Sequence, residues 1–350
     1  NGRTHPSQGH RNMLSGRLTD NRRSTDAGYS RNQPDSKSYI LVSPVKPIAY
    51  WKASVFKRLV AHVRSKVNID KNRIYVTGFS MGGQGTWFVA CGTDGSYRIA
   101  AMMPLGAWGC NYIRPGKTVK TCKTLGTPTW VLHCPLDNVS KISEQLPLFK
   151  NHVDLGGYGR FTMIPGRGHK SRPPNDNEFF SLRMSWMLSQ TYGTPFNYIL
   201  QVNDGQIGKI TSGKRPFTAD TGHHGFYEPG TVVSITAAKS KEGKPFTGWA
   251  AAKGKFSNSK SRSTSYRTTS GDVAISAIYG SGPYKLTVVG GKAKPASPKP
   301  GQVVTVIPAS RKFYYWKTST PLVDIAIPTN RSFQFAMPSA DVTLTAQPKD

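Results

Sequence analysis

The chain has 350 residues, with 47 Lys and Arg against 18 Asp and Glu and a formal net charge of +29. That length holds one α/β domain with smaller modules beside it, and no apolar run reaches the roughly 20 residues of a membrane-spanning helix. The charge would attract polyanions such as an acidic polysaccharide or an anionic envelope or matrix. The basic residues are scattered through the chain with no arginine-rich helix, zinc finger or RNA-binding signature, which argues against specific nucleic-acid binding.

In chain order, Tyr50 to Val67 predicts a helix, because Val55, Leu59 and Val63, with Phe56 and Val60 beside them, keep an apolar stripe at helical spacing. The run Arg73-Ile74-Tyr75-Val76-Thr77 reads as a strand, and Gly83 to Ala90 as a helix. Between them lies Gly78-Phe79-Ser80-Met81-Gly82. In that context a G-x-S-x-G pentapeptide forms a sharp turn that projects its serine from the carboxyl edge of a sheet. The flanking glycines are expected to leave room where a Cβ would not fit.

Further along, Ile99 to Pro104 reads as a strand and Thr127 to His133 as a buried one, followed by Cys134-Pro135-Leu136-Asp137-Asn138-Val139. A helix from Ile142 to Asp154 and a strand from Arg160 to Ile164 lead to Pro165-Gly166-Arg167-Gly168-His169. Ser80, Asp137 and His169 thus all lie just past predicted strand ends, where open α/β sheets place their ligands. Their order, Ser then Asp then His, is that of an α/β-hydrolase triad. A serine hydroxyl attacks only when a neighbouring base takes its proton, so His169 is the expected base and acid, and Asp137 its orienting partner. The N–H of Met81 is the expected oxyanion donor. Trp108, in the loop after the Ile99 strand, is the expected apolar wall of a substrate pocket.

Beyond residue 195 the chain turns Gly-, Thr-, Ser- and Lys-rich, with short alternating runs that read as all β. It contains a repeat. Pro229-Gly230-Thr231-Val232-Val233 corresponds to Pro300-Gly301-Gln302-Val303-Val304, Phe246-Thr247-Gly248-Trp249 to Phe313-Tyr314-Tyr315-Trp316, and Gly271-Asp272-Val273 to Ala340-Asp341-Val342. Each copy opens with a strand, at Tyr198 to Val202 and at Tyr284 to Val288. A spacing of about 70 residues predicts two small modules, in which Trp249 and Trp316 are expected core residues rather than sugar-stacking platforms. The expected domains are residues 1–194, 195–281 and 282–350.

The run Asn68 to Gly83 resembles the signature of the secreted esterase and polyhydroxybutyrate-depolymerase-like branch of the α/β-hydrolases, which includes feruloyl and acetylxylan esterases. The Trp130 to Val139 and Pro165 to His169 stretches resemble that family's acid and histidine loops, so the resemblance covers about residues 38 to 190. It implies an α/β-hydrolase sheet with helices on both faces, and hydrolysis of a carboxylic ester through an acyl-serine. Family members carry further strands and a His-Gly-rich loop ahead of Ser38 to Pro44, and that loop supplies a second oxyanion donor. On this comparison the domain is expected to be incomplete at its amino end, which would leave a sheet edge for self-association or for a second polypeptide. The two later modules resemble bacterial repeats of the internalin B-repeat type, which trail secreted and surface proteins.

Cys110 and Cys122 bracket an insert beside the expected catalytic edge, where a disulfide would fit an extracytoplasmic chain, with free thiols as the alternative. No signal peptide is visible, and secretion is inferred from the repeats and this cysteine pair. The eight histidines show no ligand spacing with carboxylates, so neither metal nor cofactor is expected. The leading expectation is a secreted esterase acting on an ester-bearing polymer or polysaccharide. A serine peptidase on the same scaffold and a non-catalytic adhesive surface protein are the alternatives.

Overall fold

A computed structural model describes residue 42 and residues 52–92, 98–108, 126–164, 168–169, 177–214 and 222–348, with the side chains of 91, 92 and 177–180 excepted. Cys110 and Cys122 lie outside the described residues. The chain divides into two compact units, Asn1–Thr194 and Pro195–Asp350.

The first unit holds helix α1 (Ala53–Lys66), strand β1 (Ile74–Phe79), helix α2 (Met81–Gly92), strands β2 (Ile99–Leu105) and β3 (Thr129–His133), helix α3 (Ile142–Asp154), strand β4 (Gly159–Met163) and helix α4 (Asn177–Ser189). The strands form one sheet in the order β1-β2-β3-β4, parallel throughout. Every residue of β2 and β3 is buried, which is why Ile99 to Leu105 and Trp130 to Leu132 read as apolar runs instead of alternating ones. In α1 the stripe turns inward with Val60 buried at its centre, and the helix packs on α2. The basic Arg64 and Lys66 of its last turn face the negative end of the helix dipole. The carboxyl end of α4 is fastened to β1. Arg73 donates through Nη1 to Thr191 Oγ1 at 3.0 Å and through Nη2 to the Leu188 carbonyl at 2.5 Å, while Tyr75 Oη donates to the Gln190 carbonyl at 3.0 Å.

In the second unit, strands β5 (Tyr198–Asn203), β6 (Gly205–Ser212), β7 (His224–Tyr227), β8 (Val232–Ala237), β9 (Ser240–Lys241), β10 (Lys244–Ala251), β11 (Lys255–Phe256), β12 (Ser263–Arg267) and β13 (Val273–Tyr279) make the first repeat. Strands β14 (Leu286–Val289), β15 (Gly291–Lys294), β16 (Val303–Pro308), β17 (Phe313–Thr318), β18 (Phe333–Ala336) and β19 (Val342–Pro348) make the second. Each repeat is built from two sheets, β7-β5-β13-β10-β9 with β11-β12-β8-β6, and β14-β19-β17 with β15-β16-β18. In both, the first and last strands pair in parallel, β5 with β13 and β14 with β19.

The Phe-x-x-Trp feature has a structural cause. The pairing register shifts between Phe246 and Gly248, and again between Phe313 and Tyr315. These bulges aim Trp249 and Trp316 inward, 5% and 1% exposed, so both are core residues. The backbone N–H of Trp249 donates to the Ser259 carbonyl and that of Trp316 to the Pro328 carbonyl, each at 2.8 Å. Each indole lies over a glycine, since a Cβ on Gly205 would come within 2.5 Å of Trp249 and one on Gly291 within 2.6 Å of Trp316. The two repeats also join. Gln201 Nε2 donates to the Pro321 carbonyl and Asn203 Nδ2 to the Leu322 carbonyl, each at 2.8 Å. Ala250, Ile278 and Ala336 make a small shared core beside them.

Candidate active site

Ser80 sits between the end of β1 and the start of α2 with φ of 55°, a left-handed conformation that a non-glycine residue rarely adopts. Holding it there costs about 1–3 kcal/mol. Its N–H donates to the Leu105 carbonyl at 2.9 Å, extending the β1–β2 ladder by one bond, and its own carbonyl accepts from Gln84 N–H at 3.0 Å, opening the helix. The steric demand of the turn falls on Gly78 and Gly83. A Cβ on Gly78 would collide with the Gly82 backbone, and one on Gly83 would meet the Leu105 carbonyl at 2.7 Å and Ala107 Cβ at 2.9 Å. A Cβ on Gly82 would meet nothing within 4 Å, so of the two glycines flanking Ser80 only Gly78 meets the sequence expectation.

The structure brings Ser80, His169 and Asp137 together. His169 Nε2 lies 2.8 Å from Ser80 Oγ, and His169 Nδ1 lies 2.8 Å from Asp137 Oδ2. The side chain of Asp137 is 1% exposed and that of His169 19%, so the acid is enclosed while the imidazole edge reaches solvent. The other carboxylate oxygen, Asp137 Oδ1, accepts from the N–H groups of Val139 at 3.0 Å and Ser140 at 2.8 Å. With Oδ1 held by the loop, Oδ2 is left to the imidazole. Phe79, the second residue of the pentapeptide, stacks on His169 with centroids 5.0 Å apart and planes 27° apart. Met81 is the first residue of α2, which places its N–H at the positive end of the helix dipole.

Other parts of the site carry no such signal in the sequence. Gln145 of α3 is fully buried. The amide orientation that satisfies its neighbours has it accepting from Trp87 Nε1 at 2.8 Å and donating to the Ala107 carbonyl at 3.3 Å. It thereby joins α3, α2 and the loop that leads to Trp108. Trp108 itself is half-buried, and its indole nitrogen is buried without a partner among the described residues. Met81, Leu136 and Val139, each within two positions of Ser80 or Asp137, are 41%, 68% and 53% exposed, so the segments carrying the serine and the acid present apolar side chains to solvent. Burial holds the imidazoles of His133 and His152 below the ordinary histidine range. Cys134 is buried with a free thiol. Among the described residues no group of three His, Cys, Asp or Glu side chains is placed to hold a metal ion.

Residues 198–283 match the family described as the divergent InlB B-repeat domain. Solved structures similar to this chain include a thermostable esterase, at 26% identity and TM-score 0.32, over 39% of this chain and 36% of that one. The Arabidopsis thaliana protein SOBER1 is similar at 15% identity and TM-score 0.31, over 39% of this chain and 60% of that one. Zea mays acyl-protein thioesterase 2 is similar at 16% identity and TM-score 0.29, over 41% and 69%. The chain spans less than two thirds of the length of the first of these. Comparison with curated protein sequences gives no significant match. About two fifths of the chain is similar to esterases and thioesterases, and residues 198–283 match a B-repeat domain.

Proposed function

We propose that the chain is a serine carboxylic-ester hydrolase of the secreted esterase branch, working through an acyl-Ser80 intermediate on an ester carried by a polymer or polysaccharide. The observation that carries this reading is the unbroken line of two 2.8 Å hydrogen bonds from Asp137 through His169 to Ser80, on a serine held at a strained turn. His169 Nε2 takes the Ser80 proton as Oγ attacks the ester carbonyl, and a tetrahedral oxyanion forms beside the Met81 N–H. The protonated imidazole is stabilised by Asp137 and returns the proton to the departing alcohol oxygen, leaving the acyl group on Ser80. A water, deprotonated by the same nitrogen, then releases the carboxylic acid and restores the serine.

The B-repeat match supports a place at the cell surface or outside the cell, and the charge of +29 supports salt-sensitive encounter with an anionic envelope or matrix. No helix among the described residues is long and apolar enough to cross a membrane. The test is labelling of the full chain with a fluorophosphonate probe and peptide mapping, then ester and peptide substrates side by side. Labelling confined to the Ser80 peptide, absent in Ser80→Ala, with turnover of esters over peptides, is the expected result. A folded chain that takes no label would overturn the enzymatic reading.

A further inference from the structure

The acid loop is closed by a residue that the triad does not include. His133, the last residue of β3, is 0% exposed. Its Nε2 lies 2.7 Å from the Ser140 carbonyl and 4.0 Å from Asp137 Oδ2. A carbonyl only accepts, so Nε2 carries the proton. Nδ1 is then a bare acceptor, and it is buried without a partner among the described residues. An apolar side chain of similar size would fill the space and avoid that cost. Packing alone therefore does not account for an imidazole here; its one satisfied bond does.

That bond ends on the peptide unit that matters most to the acid. Ser140 donates its N–H to Asp137 Oδ1 and accepts from His133 through its carbonyl, so Ser140 is gripped at both of its polar backbone atoms. The His133 backbone carbonyl also accepts from Ile164 N–H at 2.8 Å, at the exit of β4 on the way to His169. One residue thus ties both loops that must meet. We propose that His133 is a positioning residue for the acid: by clamping Ser140 it keeps the carboxylate of Asp137 turned so that Oδ1 stays on the loop and Oδ2 faces His169. Without that donor the Ser140 peptide can swing, Oδ1 loses an aimed N–H, and the carboxylate can rotate away from the imidazole.

This inference rests on the hydrolase reading, so its test has a readout that does not need turnover. In the full chain, His133→Leu is expected to lower kcat on a p-nitrophenyl ester by about ten- to a hundredfold with KM unchanged, since a small misplacement of a catalytic group costs about that much. It is also expected to weaken or abolish the far-downfield proton resonance of the His169 Nδ1 to Asp137 hydrogen bond. His133→Gln, whose amide can donate to the same carbonyl, is expected to restore most of both. Should H133L not fold, H133M, flexible and without a donor, asks the same question. A folded donor-less variant with wild-type kcat and an unchanged resonance would sink the proposal, as would a rise in KM alone. Wild-type protein that turns over no ester but loses the resonance in H133L would sink the hydrolase reading and leave the positioning role standing.

Discussion

The strand ends of the α/β unit and the cores of the repeats bury different things. Around the strand ends of the first, His133, Asp137, Ser140 and Gln145 are all enclosed, and each takes part in at least one directed hydrogen bond. The first repeat closes on Trp249, Tyr227, Tyr266, Tyr279 and aliphatic residues, and the second on Trp316, Val304, Val306 and Leu344. Burying polar groups is the weaker way to make a domain stable, because each must recover its lost hydration. What it supplies is direction, which the aligned side chains of Ser80, His169 and Asp137 need more than packing.

The sharpest break in that contrast is a pair of glycines at the elbow. Gly78→Ala should collapse fluorophosphonate labelling by about a hundredfold or more, since the added methyl must displace the Gly82 backbone. Gly82→Ala, with open space around it, should leave labelling within about threefold, its change being one that a helix favours by up to about 1 kcal/mol. Next in size, Trp249→Ala should cost the repeat unit about 3–5 kcal/mol in thermal or denaturant unfolding while labelling of Ser80 stays unchanged.

Acid should separate the units by degree. His133 and His152 are held neutral by burial below their unfolded value of about 6.5. Because the unfolded chain binds more protons below that value, the stability they contribute is complete above it and falls as pH drops toward the depressed folded values. Differential scanning calorimetry between pH 7 and 5 should show the α/β transition moving down as pH falls, and His152→Phe should flatten the trend. The smallest effect lies between the repeats. Trp249 Nε1 donates to the Ser261 carbonyl at 3.0 Å, whereas Trp316 Nε1 is buried with no partner among the described residues. Trp249→Phe should therefore cost about 1 kcal/mol more than Trp316→Phe in matched unfolding curves.

How much of this could be read in advance follows from what each feature requires. The elbow, the acid and the histidine are local: a strand, a turn residue and a chemical group lie within a few positions of one another, and their order completes the pattern. The repeat was legible because two copies check each other, down to the matching tryptophans, whereas the bulge that sets each tryptophan shows only in the strand pairing. Phe79 on His169, His133 on Ser140 and Gln145 between α3 and α2 were not legible, because each joins residues that only the folded chain brings together. Gly83 was missed for the same reason, since its neighbours Leu105 and Ala107 belong to another strand end. Helix α4 was not anticipated either. Its Asn-Glu-Phe-Phe-Ser-Leu-Arg-Met-Ser-Trp-Met-Leu-Ser sequence has apolar residues all round and so no single stripe.

The parallel pairing of first and last strands gives the repeats a mechanical character. In each, the chain enters on β5 or β14 and leaves on the neighbouring β13 or β19, running the same way. Tension applied at the two ends of a repeat therefore pulls these strands lengthwise past each other, so the rungs between them are strained all at once instead of one after another. A module built this way resists extension with its whole ladder, so its resistance to force depends on the direction of pulling as well as on its stability.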